Sequence, residues 1–184
     1  MWKDSARLIA MAALLWSAAA ADRRYGVGSP PAPDQVRAWD ISIAPDGAGL
    51  PPGSGSAKPG KAIYASKCAK CHGSQGQGAD DAALTGGIGS LNTPKPLKTV
   101  GSFWPHATTL FDYVRRAMPF RDPGSLEPGE VYAVVAFVLH LNGIVKEDEV
   151  LDAATLRRIW MPNRDGFVPD PRPDIGPKAY RQPR

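Results

Sequence analysis

Two cysteines and a histidine set at a fixed spacing, Cys68-Ala69-Lys70-Cys71-His72, point to one chemistry. Two thiols three positions apart can each form a thioether to one vinyl group of a porphyrin. The adjoining imidazole then ligates the iron, so C-x-x-C-H is the attachment signature of a c-type haem. The chain has 2 cysteines, so the motif takes the whole thiol complement and leaves none for a disulfide. A thioredoxin-like C-x-x-C belongs beside a βαβ pattern, which the sequence lacks. A structural zinc site needs four Cys or His ligands, and only His106 and His140 remain beyond the motif. The sequence therefore implies one covalently attached haem c, with Cys68 and Cys71 as anchors and His72 as axial ligand.

A second axial ligand must come from elsewhere, and Met118, Met161, His106 and His140 are the choices. Met118 ends an apolar helical pattern, precedes Pro119-Phe120 and follows Cys71 by 47 positions, from 71 to 118. That length can carry the chain around a porphyrin to its other face. A thioether also raises the reduction potential relative to a second imidazole, which suits electron transfer. Met118 is the favoured ligand and Met161, also followed by proline, its main rival. His106, within Phe103-Trp104-Pro105-His106, reads as a surface or packing residue, and His140 as a histidine satisfied within its helix. Arg115 and Arg116 could grip a haem propionate or an acidic partner, since guanidinium forks match carboxylates. Phe103, Trp104, Phe111, Tyr113 and Phe137 are expected to wall the cleft.

The elements that must position these groups read as helices. Pro59 and Gly60 open one that runs through Ile63 and Tyr64 into the motif. A glycine-rich loop, Gly73 to Gly89, lets backbone pass close to a flat cofactor. Thr108 or Thr109 is expected to cap a second helix, with Leu110, Phe111, Val114 and Ala117 at helical spacing. The restriction on residues before proline ends it ahead of Pro119. A third helix starts at Pro128, carries Glu130 in its first turn and stops at Gly143. Its stretch from Val131 to Leu141 is apolar on nearly every face, which predicts a helix packed between the first helix and the haem. It is too short to span a membrane. Nothing alternates like a sheet, so the expected fold is all-α.

Both ends differ from this centre. Lys3 and Arg7 precede an apolar run from Leu8 to Trp16 and the small residues Ser17 to Ala21. That order reads as a signal peptide, residues 1–21, cut near Ala20 or Ala21. Export to the periplasm with no membrane span after cleavage is the expectation. Losing Lys3, Arg7 and Asp4 with the leader lowers the net charge of +4 to about +3, too little and too scattered to argue for nucleic acid. Residues 22–57 form a Pro/Gly-rich arm that still carries Trp39, Ile41 and Ile43. A haem domain at 58–145 follows. Residues 146–184 are expected to hold a short helix capped by Asp152, then a proline-rich tail.

The chain resembles the cytochrome c subunit of Sox-type sulfane dehydrogenases and related sulfite dehydrogenases. The resemblance rests on an ordered set of segments: Tyr25-Gly-Val-Gly28, Ala38-Trp39-Asp40-Ile41, Asp46 to Gly55, Lys67 to Gly73, Lys98 to Pro105, Ala107 to Tyr113, Arg115-Arg-Ala-Met-Pro-Phe120 and Met161 to Phe167. It covers nearly all of the chain beyond the leader. It implies a class I cytochrome c-like haem domain with His72 and Met118 as the axial pair. It also implies a molybdenum-containing catalytic subunit that supplies electrons from a sulfur compound, and a downstream acceptor such as another cytochrome c. The chain differs from larger members in having a single C-x-x-C-H, and His106 stands where a tyrosine is expected. No acid–base constellation accompanies the motif, so the chain is read as an electron-transfer subunit with no catalytic site of its own. The other readings open to it are a diffusing periplasmic carrier to an oxidase and a haem-based ligand sensor.

Overall fold

A computed structural model describes residues 27–169. The expected leader, Tyr25 and the last prolines lie outside the described residues. The chain divides into two compact units, one through Ile41 and one from Ser42.

The first unit contributes helix α1, Pro33–Trp39. Pro33 takes the first position, where its missing N–H costs no hydrogen bond. The Gln35 side chain accepts the Ala32 N–H at 2.8 Å. None of the α1 residues is buried.

The second unit is helical, as the patterning predicts. Its helices are α2 (Ala57–Lys67), α3 (Ala69–His72), α4 (Val100–Phe103), α5 (Ala107–Ala117), α6 (Pro128–Leu141) and α7 (Ala153–Leu156). The uniformly apolar α6 forms the centre, and every residue from Val131 to Leu139 is buried. Such a helix needs cover on every side, and α2, α4, α5 and a short β ladder all pack on it. Glu127 and Glu130 close a capping box at its start. Backbones of α2 and α6 come together at Gly60, where an added Cβ would overlap the Ala133 carbonyl. Only glycine permits that approach.

One short ladder lies outside the stretch read as helical. Strand β1 (Ser54–Gly55) pairs antiparallel with β2 (Leu151–Asp152), Ser54 facing Asp152 and Gly55 facing Leu151. Two residues per strand are too few to show alternation, so no sequence signal exists. The cap expected of Thr108 or Thr109 is corrected. His106 is the N-cap of α5, and the Thr108 hydroxyl instead donates to Pro45 O at 2.8 Å.

That bond is one of three that fasten residues 43–51 to the helices. The Ile43 N–H donates to Asp112 Oδ1 at 2.9 Å, and the Tyr132 hydroxyl to Pro51 O at 3.0 Å. Farther on, Asp152 caps α7 by accepting the Ala154 and Thr155 N–H groups. The Asn163 amide donates to Phe103 O at 2.8 Å, and Phe167 meets the Phe103 ring edge-on.

Candidate haem cleft

Helix α2 ends at Lys67, Cys68 is its C-cap with φ −122° and ψ −37°, and α3 resumes at Ala69. This break places Cys68, Cys71 and His72 on one cavity of about 420 Å³. The volume lies within the usual range of small-molecule and cofactor sites. Cys68 is half-buried and Cys71 exposed. Burial pushes the Cys68 thiol up to about 11, with Lys67 opposing and Cys71 adding to the rise. A thiol held protonated is the reverse of the low-pKa nucleophile of a dithiol oxidoreductase.

The His72 Nδ1 lies 2.8 Å from Ala82 O. A carbonyl can only accept, so Nδ1 is the donor, which leaves Nε2 as the ring nitrogen able to ligate. Iron-ligating histidines are held in this way, with the second ring N–H on a backbone carbonyl that fixes tautomer and orientation. Tyr64, 1 % exposed, lines the same cavity and donates its hydroxyl to Gly73 O at 2.9 Å. Its phenol is pushed up to about 12 by burial and by Cys68.

Met118 reaches the cavity from the end of α5, where it is the C-cap. The other three ligand choices do not line it. Met161 is fully buried in the hydrophobic core. His140 Nδ1 lies 3.2 Å from Val145 O. His106 holds the start of α5, with its Nδ1 buried and without a partner. Between the His72 and Met118 sides the wall is apolar, made of Leu110, Val114, Leu126, Val134 and Val138. Two thiols, an imidazole with a free nitrogen, a thioether and an apolar slot fit a haem c. Among the described residues no cluster of three or more His, Cys, Asp or Glu could hold a metal ion by itself.

The aromatic wall is only partly as expected. Trp104 and Tyr113 line the cavity and meet edge-on at 5.8 Å. Phe111 instead packs on Tyr132 at 4.4 Å, and Phe137 on Tyr64 at 5.2 Å, both in the core. Phe103 faces Phe167. Helical spacing identifies an inward face but cannot say which inward residue meets cofactor and which meets another helix. The Arg116 guanidinium grips Asp112 one turn back, and neither Arg115 nor Arg116 lines the cavity. Burial pushes the Asp112 carboxyl up, but bonds from Arg116 and the Ile43 N–H and the charges of both arginines outweigh it, leaving it below its ordinary value. The cations at the cavity are Lys67 and Lys98.

Several lining residues escaped the sequence reading. Asp81, Ala82, Ala83 and Leu84 come from the glycine-rich loop, and Lys98, Thr99 and Val100 from the approach to α4. Their types are ordinary; only the chain path brings them to the cavity.

Fold and cleft together define a c-type cytochrome domain, an electron-transfer protein. Residues 55–138 match the family described as cytochrome C oxidase, cbb3-type, subunit III. A chain of the crystal structure of the sulfane dehydrogenase SoxCD from Paracoccus pantotrophus is 41 % identical, over 88 % of this chain and 80 % of that one, with a TM-score of 0.76. This chain belongs to the family of c-type cytochrome subunits of Sox-type sulfane dehydrogenases. No curated protein matches it.

Proposed function

We propose that this protein carries one haem c, anchored by Cys68 and Cys71 with His72 and Met118 as axial ligands, and takes electrons singly from a molybdenum-containing sulfur-compound dehydrogenase subunit. The observation that carries the reading is the convergence of these four side chains on one apolar cavity. When bound, the haem supplies a one-electron iron couple.

Each residue has a part to play around it. Thioethers at Cys68, the C-cap of α2, and at Cys71 in α3 would fix the group where the two helices meet. The Ala82 carbonyl makes His72 a stronger donor by accepting its Nδ1 proton, while the Met118 thioether favours the reduced metal. Leu110, Val114, Val134 and Val138 exclude water, which also favours the lower charge. Tyr113, 45 % exposed, and Phe120, 81 % exposed, sit at the cavity mouth, where a redox partner would dock.

The catalytic partner is inferred from the family. In support of a grip by the N-terminal arm, the α1 unit presents Val27, Val36 and Trp39 to solvent, Trp39 at 88 % exposure. This protein has no catalytic site of its own and hands electrons to a downstream acceptor such as another cytochrome c. Among the described residues no helix is long and apolar enough to cross a membrane. Export through residues 1–21 to the periplasm, where thioether attachment is completed, belongs to the same proposal. So does a chain of arm (22–57), haem domain (58–145) and C-terminal helix and tail (146–184).

Affinity purification of the tagged protein from its source organism tests the assignment. A molybdenum-containing subunit should co-purify and, given sulfite or a sulfane sulfur compound, should reduce the haem. Removing Val27–Ile41 should release that subunit and leave the visible spectrum unchanged. A monomeric cytochrome with no such companion would favour a diffusing carrier and overturn the proposal.

A further inference from the structure

The Asn142 side chain sits just past α6, at a junction of three pieces of the cleft wall. Its Nδ2 lies 3.1 Å from Leu84 O and 2.9 Å from Val138 O. Two carbonyls can both be bonded only by an NH2 group, so the amide orientation is fixed by chemistry. Its Oδ1 is buried with no partner, which leaves the donor end as the useful one. Gly101 of α4 packs directly on this amide, and an added Cβ there would overlap Oδ1.

Leu84 lies two residues after Ala82, whose carbonyl holds His72 Nδ1 at 2.8 Å. Around them the loop is also tied by the Asp81 N–H to Cys71 O at 2.9 Å, by the Leu84 and Thr85 N–H groups to Gly76 O at 2.7 and 3.0 Å, and by the Thr99 hydroxyl to Gly86 O at 2.6 Å. The Asn142–Leu84 bond spans 58 residues and anchors this loop to α6. We propose that Asn142 is a positioning residue that, by fixing Leu84, keeps the Ala82 carbonyl on His72 and so sets the orientation and donor strength of the imidazole. This rests on the haem reading above.

The test uses the mature holoprotein in its reduced state. Proton NMR reads the solvent-exchange rate of the His72 Nδ1–H, with the Val135 amide in the middle of α6 as internal reference. Asn142→Leu keeps the volume and removes the donor. It should speed Nδ1–H exchange roughly five- to tenfold, the worth of one buried hydrogen bond, with the Val135 amide unchanged. The reduction potential should rise, because a less electron-rich imidazole stabilises the oxidised metal less. Gly101→Ala leaves Asn142 in place but pushes its amide aside, and should act in the same direction. If Asn142→Leu does not mature, Gly101→Ala decides alone. Exchange within twofold of the wild type in the folded variants overturns the proposal, even if thermal stability falls. A wild-type protein with no covalent haem overturns the underlying reading instead, and the two failures are distinct.

Discussion

Replacing Asp112 by alanine should destabilise the protein by about 1–4 kcal/mol, and most of that loss should come from one backbone bond. Asp112 is 8 % exposed and lies on α5. Its Oδ1 accepts the Ile43 N–H at 2.9 Å and the Arg116 Nε at 2.9 Å. Ile43 is 6 % exposed, so its N–H would be left buried and unmatched, at about 1–3 kcal/mol. The Arg116 side chain is 45 % exposed, so its ion pair contributes no more than about 1 kcal/mol. The two partners are therefore unequal. Arg116→Ala should cost less than about 1 kcal/mol, and Asp112→Asn, which keeps an acceptor for Ile43, should fall between. Urea denaturation of the holoprotein, followed by far-UV circular dichroism at constant slope, measures all three. Should Asp112→Ala and Arg116→Ala prove equally mild, the Ile43 bond does not fasten residues 43–51 as argued.

Acid should expose the same carboxylate. The folded Asp112 carboxyl titrates below its ordinary value, so its stabilisation is complete above about pH 4 and is lost as pH falls through the depressed folded value. The stability gap between wild type and Asp112→Asn should therefore shrink below about pH 4. Tyr64→Phe removes the hydroxyl bond to Gly73 O, but that carbonyl keeps the Gly76 N–H at 3.1 Å. Its cost should stay near 1 kcal/mol by the same urea assay. Met118→Ala should open the sixth position, so that the reduced protein binds carbon monoxide. Met161→Ala should not, but as a fully buried core deletion it should cost about 2–5 kcal/mol. Cys71→Ala should lower the yield of covalently bound haem on a denaturing gel stained for peroxidase activity.

Much of this arrangement is legible in the sequence because its signals are local. Pro128, Glu130 and Gly143 bracket α6, and its all-round apolar character foretells a helix covered on every side. Asp152 at a cap and the end of α5 ahead of Pro119 follow from short-range rules that tertiary contacts do not override. What stays illegible is contact between distant segments. Nothing in Thr108 says that its hydroxyl will seek Pro45 instead of capping α5. The proline-rich composition of residues 42–56 reads as an arm, yet Ile43, Pro51 and Ser54–Gly55 are bonded into the helical unit. Phe111 and Phe137 share the inward periodicity of cleft residues and meet other rings in the core. Asn142 carries no motif, and its two carbonyl partners become visible only once the loop around Leu84 is placed.

The central claim is that the cavity between His72 and Met118 holds one haem c that cycles a single electron. A spectroelectrochemical titration of the purified holoprotein tests it most directly. A single one-electron transition is expected, with a low-spin spectrum whose oxidised form shows thioether-to-iron charge transfer. A high-spin spectrum with an open axial position, or no covalent haem at all, would contradict it.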